Sequence, residues 1–122
     1  MYKLNIGTRA GLTGKTTPLA LARTYLDYVL SEYPGAKVLT YHTEVSDGGD
    51  WGPEPVMVVE IEPGSFSIER ISEICNRIAR LLYQDAIAVY HIASGKGWLH
   101  WNSDCLTPES DRYDFDMDYF LH

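Results

Sequence analysis

A chain that reads strand, helix, strand, strand, helix, strand is expected to fold as an α+β domain: one antiparallel sheet with two helices on one face. Three observations predict it here: period-two alternation at the N-terminus, an apolar stripe at helical spacing from Ile68 to Leu82, and clusters of turn formers between the patterned segments. The 122 residues suffice for one core and are short for two, since single cores commonly occupy about 100–150 residues.

Tyr2, Leu4 and Ile6 alternate with Lys3 and Asn5, the pattern of a half-buried first strand. A glycine-bearing loop follows, and Thr17-Pro18 offers an N-cap and a first helical residue. From Leu19 the apolar positions Ala22, Leu26, Val29, Leu30 and Tyr33 recur at threes and fours until Pro34-Gly35. Lys37 to Val45 is rich in β-branched and aromatic residues, with Leu39, Tyr41, Thr43 and Val45 expected on the core face of a second strand. Residues 46–55 are dense in turn formers and should join two antiparallel strands. Val56 to Glu62 then directs Met57, Val59 and Ile61 inward. Ser67 is placed to cap the second helix, whose stripe runs through Ile71, Ile74, Cys75, Ile78 and Leu82. Asp85 to Ile92 is apolar on both sides at its start, as in a central strand.

The order is that of a ferredoxin-like βαββαβ sandwich, with a four-stranded antiparallel sheet and two helices on one face, over residues 1–93. Residues 94–122 form a C-terminal extension expected to pack on the domain or on a partner subunit. Within it Gly97 to Trp101 alternates as an added edge strand, expected to present Trp98 and Trp101 on one face. Further on, Asp114, Asp116 and Asp118 alternate with Phe115, Met117 and Tyr119, an amphipathic pattern suited to docking on a sheet edge.

A Gly-rich loop with Trp51 and Glu54, an apolar strand, and a helix ending in Gln84-Asp85-Ala86-Ile87-Ala88-Val89 together resemble certain small uncharacterised bacterial proteins of ferredoxin-like build. The resemblance spans roughly Leu4 to Ile92. It implies a fold and brings no activity or catalytic residues.

Ten basic against seventeen acidic side chains give a net charge of −7, which repels nucleic-acid phosphates. The same charge suits docking on a protein partner with a basic surface. Cys75 and Cys105 make no disulfide framework, the first residues carry no apolar signal core, and no apolar run approaches the roughly twenty residues of a membrane span. A cytoplasmic location is the expectation.

Gly11-Leu12-Thr13-Gly14-Lys15-Thr16-Thr17 sits between a strand and a helix, the setting of a phosphate-binding loop. Arg9 stands where that pattern needs its first glycine, which argues against nucleotide hydrolysis and leaves an anion site built on Arg9, Gly14, Lys15 and Thr16. His42 and Glu60 are a second candidate ligand-binding pair on the uncovered sheet face. His91, His100 and Cys105 lack zinc spacing, no nucleophile sits in a recognisable elbow, and no metal or cofactor is expected.

The function expected from these residues is non-enzymatic binding or assembly, as a homodimer or larger homo-oligomer formed through the open sheet face. Tyr90, Trp98, Trp101, Phe115 and Tyr119 are the expected interface residues, because an open face bearing Tyr41 or His42, Val58 and Tyr90 would expose an apolar patch. The alternatives are a small-molecule or phosphate-binding protein using the loop 9–17, and an acidic inhibitor docking on a basic protein surface.

Overall fold

The computed structural model describes residues 1–10, 13–49, 52–62, 68–101 and 112–116. Its elements are β1 (Tyr2–Gly7), α1 (Leu19–Ser31), β2 (Lys37–Ser46), β3 (Glu54–Glu62), α2 (Ile68–Leu82), β4 (Ala86–His91), β5 (Lys96–Trp101) and β6 (Arg112–Asp116). The architecture is α+β, with two helices and an antiparallel sheet in the order β2-β3-β1-β4-β5-β6. Six strands stand where four were expected, because the chain beyond residue 93 adds β5 and β6 at the β4 side of the same sheet. β5 is therefore an interior strand, with β4 on one side and β6 on the other.

One core lies between the helices and one face of the sheet. Tyr2, Leu4 and Ile6 of β1, Met57, Val59 and Ile61 of β3, and Ile87 and Val89 of β4 meet Ala22, Leu26 and Val29 of α1 and Ile71, Ile74, Ile78 and Leu82 of α2. Burying each of the larger aliphatic side chains contributes about 1.5–3 kcal/mol, which is why the two alternating strands and the α2 stripe dictate the layering. Near the surface the helices are joined by an Arg77–Glu32 ion pair at 2.8 Å, and Arg70 and Arg77 both lie over the Tyr33 ring.

Two local expectations are corrected. Thr17 does not cap α1: its N–H donates to the carbonyl of Thr8, and Pro18 occupies the cap position without a side-chain hydrogen bond. In β2 a register shift between Val38 and Thr40 makes Leu39 the extra residue of a bulge. One added residue exchanges the two faces of a strand. Val38 and Tyr41 consequently both pack toward the core, while Leu39, expected inside, is exposed; Val45, also expected inside, lies on the Tyr41 side near the end of the strand and is exposed there. The cap expected at Ser67 lies outside the described residues.

The outer sheet face also differs from expectation. Val58 is 1% exposed and Tyr90 6%, with the Lys3 ammonium 5.7 Å from the Tyr90 ring centre. Tyr41 belongs to the opposite face, under the Arg23 guanidinium. The exposed apolar patch from which self-association was argued is not formed by these residues.

Candidate functional site

Ile6 and Gly7 end β1 beside the start of β3, where the pairs are Ile6 with Met57 and Gly7 with Val56. Residues 8–10 and 13–17 run antiparallel as the two arms of a narrow hairpin, with Arg9 bridged to Thr16, Ala10 N–H donating to Lys15 O at 2.8 Å, and Thr17 N–H to Thr8 O at 2.9 Å; residues 11 and 12 lie outside the described residues. Gly14 takes a left-handed φ of 70° at the turn and donates to Ala10 O, and Lys15 N–H donates to Thr13 Oγ1. These N–H groups are spent inside the hairpin and are not offered to a phosphate.

The N–H groups of Thr8 and Arg9 are claimed by a carboxylate. Glu54 Oε1 accepts from Thr8 N–H at 3.1 Å and from Arg9 N–H at 2.8 Å, while the Thr8 hydroxyl donates to the carbonyl of Pro55. From the other side Gln84 Nε2 donates to Arg9 O at 2.8 Å and to Leu82 O at 3.2 Å. Glu54 and Gln84 converge on Gly7: a Cβ there would lie 2.5 Å from Gln84 Oε1 and 2.7 Å from Glu54 Oε1, so only glycine leaves room for both. Thr8 and Gln84 are buried and Glu54 is half-buried.

The Arg9 side chain turns outward from this centre. Nη1 and Nη2 both donate to Gly52 O at 3.1 Å, and Nη1 also reaches Pro53 O at 3.3 Å. Gly48, at φ 68°, makes space for the guanidinium, since a Cβ there would stand 2.7 Å from Nη2 and 1.7 Å from Gly52 O. Arg9 thus ties the hairpin to the β2–β3 connection, while the Oε2 atom of Glu54 accepts from no described residue. A carboxylate fixed by one oxygen keeps the other for a proton or for a positively charged group.

The other predicted residues lie elsewhere. Lys15 and Thr16 are exposed on the hairpin. His42 is paired with Val58 across the sheet and its ring nitrogen lies 2.9 Å from Glu44, whereas Glu60 is opposite Thr40 and Lys3. His42 and Glu60 are therefore diagonal neighbours on one face of the β2–β3 pair. Trp98 is 4% exposed and edge-on to Tyr2 in the core, so it covers the interior. Trp101 aligns with Ala86 and Trp98 with Val89 across the β4–β5 pairing. Phe115 is opposite Gly97, and Tyr119 and Cys105 lie outside the described residues. His91 Nδ1 is 2.6 Å from Ser94 Oγ, and His100 Nε2 is 3.2 Å from Asn76 Oδ1. Among the described residues no group of three metal-ligating side chains occurs, and no helix is long and apolar enough to cross a membrane.

Sequence reasoning gave Gly7, Thr8, Glu54 and Gln84 no role. The available signal was a glycine closing a clean alternating strand, with Glu54 at the start of one apolar strand and Gln84 two residues before another.

No family model and no curated protein matches the chain. Among solved structures it is similar to a phage SAM lyase in its apo state, at 12% identity and a TM-score of 0.49, over 94% of this chain and 86% of that one. It is also similar to a phage SAM lyase in complex with S-methyl-5'-thioadenosine, at 12% identity and a TM-score of 0.46, over 97% and 89% of the two chains. Both are described as an enzyme, and the expected non-enzymatic binding or assembly role is withdrawn against that finding. At these values the likeness carries no activity and no residue role to this chain.

Proposed function

We propose that this chain is an enzyme acting on a small molecule with a positively charged centre, and that Glu54 is the residue that meets that centre. The observation that supports it is the Glu54 carboxylate itself, held through Oε1 by the Thr8 and Arg9 N–H groups beside a glycine that admits it. A carboxylate oriented in this way is pre-set to accept a proton or to stabilise developing positive charge. Arg9 is engaged with the Gly52 and Pro53 carbonyls, which leaves a substrate cation as the natural counter-charge at Oε2. In this reading Lys15 and Thr16, on the hairpin strand paired with Arg9, take a polar part of the substrate. We also infer that β1 to β4 with the two helices form a ferredoxin-like unit, a reading supported by the order β2-β3-β1-β4.

Two probes separate the charge from the rest of a ligand. SAM carries a sulfonium cation, and S-methyl-5'-thioadenosine is a neutral thioether on the same nucleoside. Calorimetry and product analysis with both should show binding or turnover of the cationic compound that Glu54→Gln, which keeps shape and one acceptor, lowers by about 10²-fold or more. Equal behaviour of wild type and Glu54→Gln toward every cationic small molecule bound would remove Glu54 from the site and end this reading.

A further inference from the structure

The C-terminal end of α2 is built in a way that packing alone does not require. Gln84 N–H donates to Ala79 O at 2.9 Å and Tyr83 N–H to Arg80 O at 3.4 Å, the paired bonds of a Schellman cap. The residue between helix and Gln84 is then left-handed, a position that favours glycine, yet Tyr83 holds it at φ 54° with its ring 74% exposed. Backbone kept in a sparsely populated region points to something positioned by it. What this cap positions is Gln84, whose buried amide crosses to the hairpin and grips the carbonyl of Arg9 while Glu54 grips the N–H of the same residue.

We propose that Gln84 is a positioning residue for Glu54, acting through Arg9, and this rests on the reading of Glu54 as the group that meets the substrate. Arg9 is clamped on both sides: by Glu54 Oε1 at its N–H and by Gln84 Nε2 at its carbonyl. Rotating Arg9 would swing the N–H that orients the carboxylate. Gln84 Nε2 donates to the carbonyls of both Arg9 and Leu82, bonds that an amide oxygen could not make, so the amide is held with Nε2 toward Arg9. The carboxylate therefore inherits its direction from the end of α2, an element that itself makes no hydrogen bond to Glu54 among the described residues.

The test uses two isosteric changes in the full chain. Gln84→Met keeps the volume and removes both polar ends, and Gln84→Glu keeps the shape and removes the donor. Amide hydrogen exchange read by NMR should show at least tenfold lost protection at Arg9 in both variants, with the amides of the β1–β3 pairing unchanged as proof of an intact sheet. With SAM as probe, kcat should fall by about 10²-fold at similar KM, the mark of misdirection rather than lost binding. Unaltered protection at Arg9 in both variants overturns the proposal. Retained clamp effects with no turnover of any cationic substrate by the wild type would remove the catalytic part and, with it, the proposal as stated, whereas an active wild type with unaffected variants would remove Gln84 alone.

Discussion

Replacing Gly7 with alanine tests the geometry of the centre directly. Gly7 lies in β1 with no left-handed backbone, so alanine meets no conformational penalty there. The added carbon meets Gln84 Oε1 at 2.5 Å and Glu54 Oε1 at 2.7 Å, where ordinary contact is about 3.5 Å, so the two oxygens must retreat by roughly 0.8–1 Å. Such overpacking costs about 1–3 kcal/mol, and the loss of glycine's freedom in the unfolded chain returns about 0.4–1 kcal/mol. The expected net loss of about 1–2 kcal/mol lowers Tm by roughly 3–12 °C for a domain of this size. Both obstructing atoms are ends of flexible side chains, so the sheet itself should persist, with unchanged far-ultraviolet circular dichroism. Calorimetric unfolding is the assay. A Tm for Gly7→Ala equal to or above that of the parent would show that Glu54 and Gln84 do not converge on Gly7, and the arrangement built on that convergence would fall with it.

Two further outcomes follow from separate features. Tyr83→Gly should stabilise the fold by about 0.5–1 kcal/mol, because glycine takes the left-handed C-terminal position of α2 without steric cost; urea unfolding measures it, and a destabilised variant would refute the cap geometry. Burial pushes the Cys75 thiol well above its ordinary range, and burial likewise raises Tyr90, opposed by the Asn5 side chain, and Tyr2, helped by the Glu62 charge. A raised folded-state value means that the stability is fully present below the unfolded-state value and is lost above it. Stability should therefore fall once pH passes about 8.5, by up to about 1.4 kcal/mol per unit for the thiol, with the tyrosines joining near pH 10. Cys75→Ala should flatten the first part of that decline, and parallel curves for the two proteins would show that the thiol is not its source.

What could be read from the sequence was what depends on periodicity. β1, β3 and α2 each present one apolar face, and that face became the core, as with Leu4 and Ile6, Met57 and Val59, or Ile74 and Ile78. β4 was legible as central because a strand covered on both sides has little reason to alternate. β2 was misread because a bulge leaves no trace in composition: Leu39 looks like a core residue until one position is skipped. The partners of Thr8 and Arg9 were missed for a related reason. The glycines and Lys15 of the hairpin match a phosphate-binding loop, while the N–H groups of Thr8 and Arg9 find their acceptor in Glu54, 45 residues beyond Arg9. Gln84 is farther still, 75 residues from the carbonyl that it holds. A site assembled by long-range hydrogen bonds to backbone shows only weakly in the chain that forms it.

The Leu39 bulge also bears on the solubility of the molecule. β2 is the terminal strand of the sheet, ten residues long, and a regular strand of that length offers a ladder of backbone groups on which another chain can grow. The bulge breaks that ladder near its beginning and twists the strand locally, while Lys37, His42 and Glu44 place charge or polarity along the rest. A residue that sequence pattern assigns to the interior thus serves at the rim, where its irregularity discourages the sheet from extending into an aggregate.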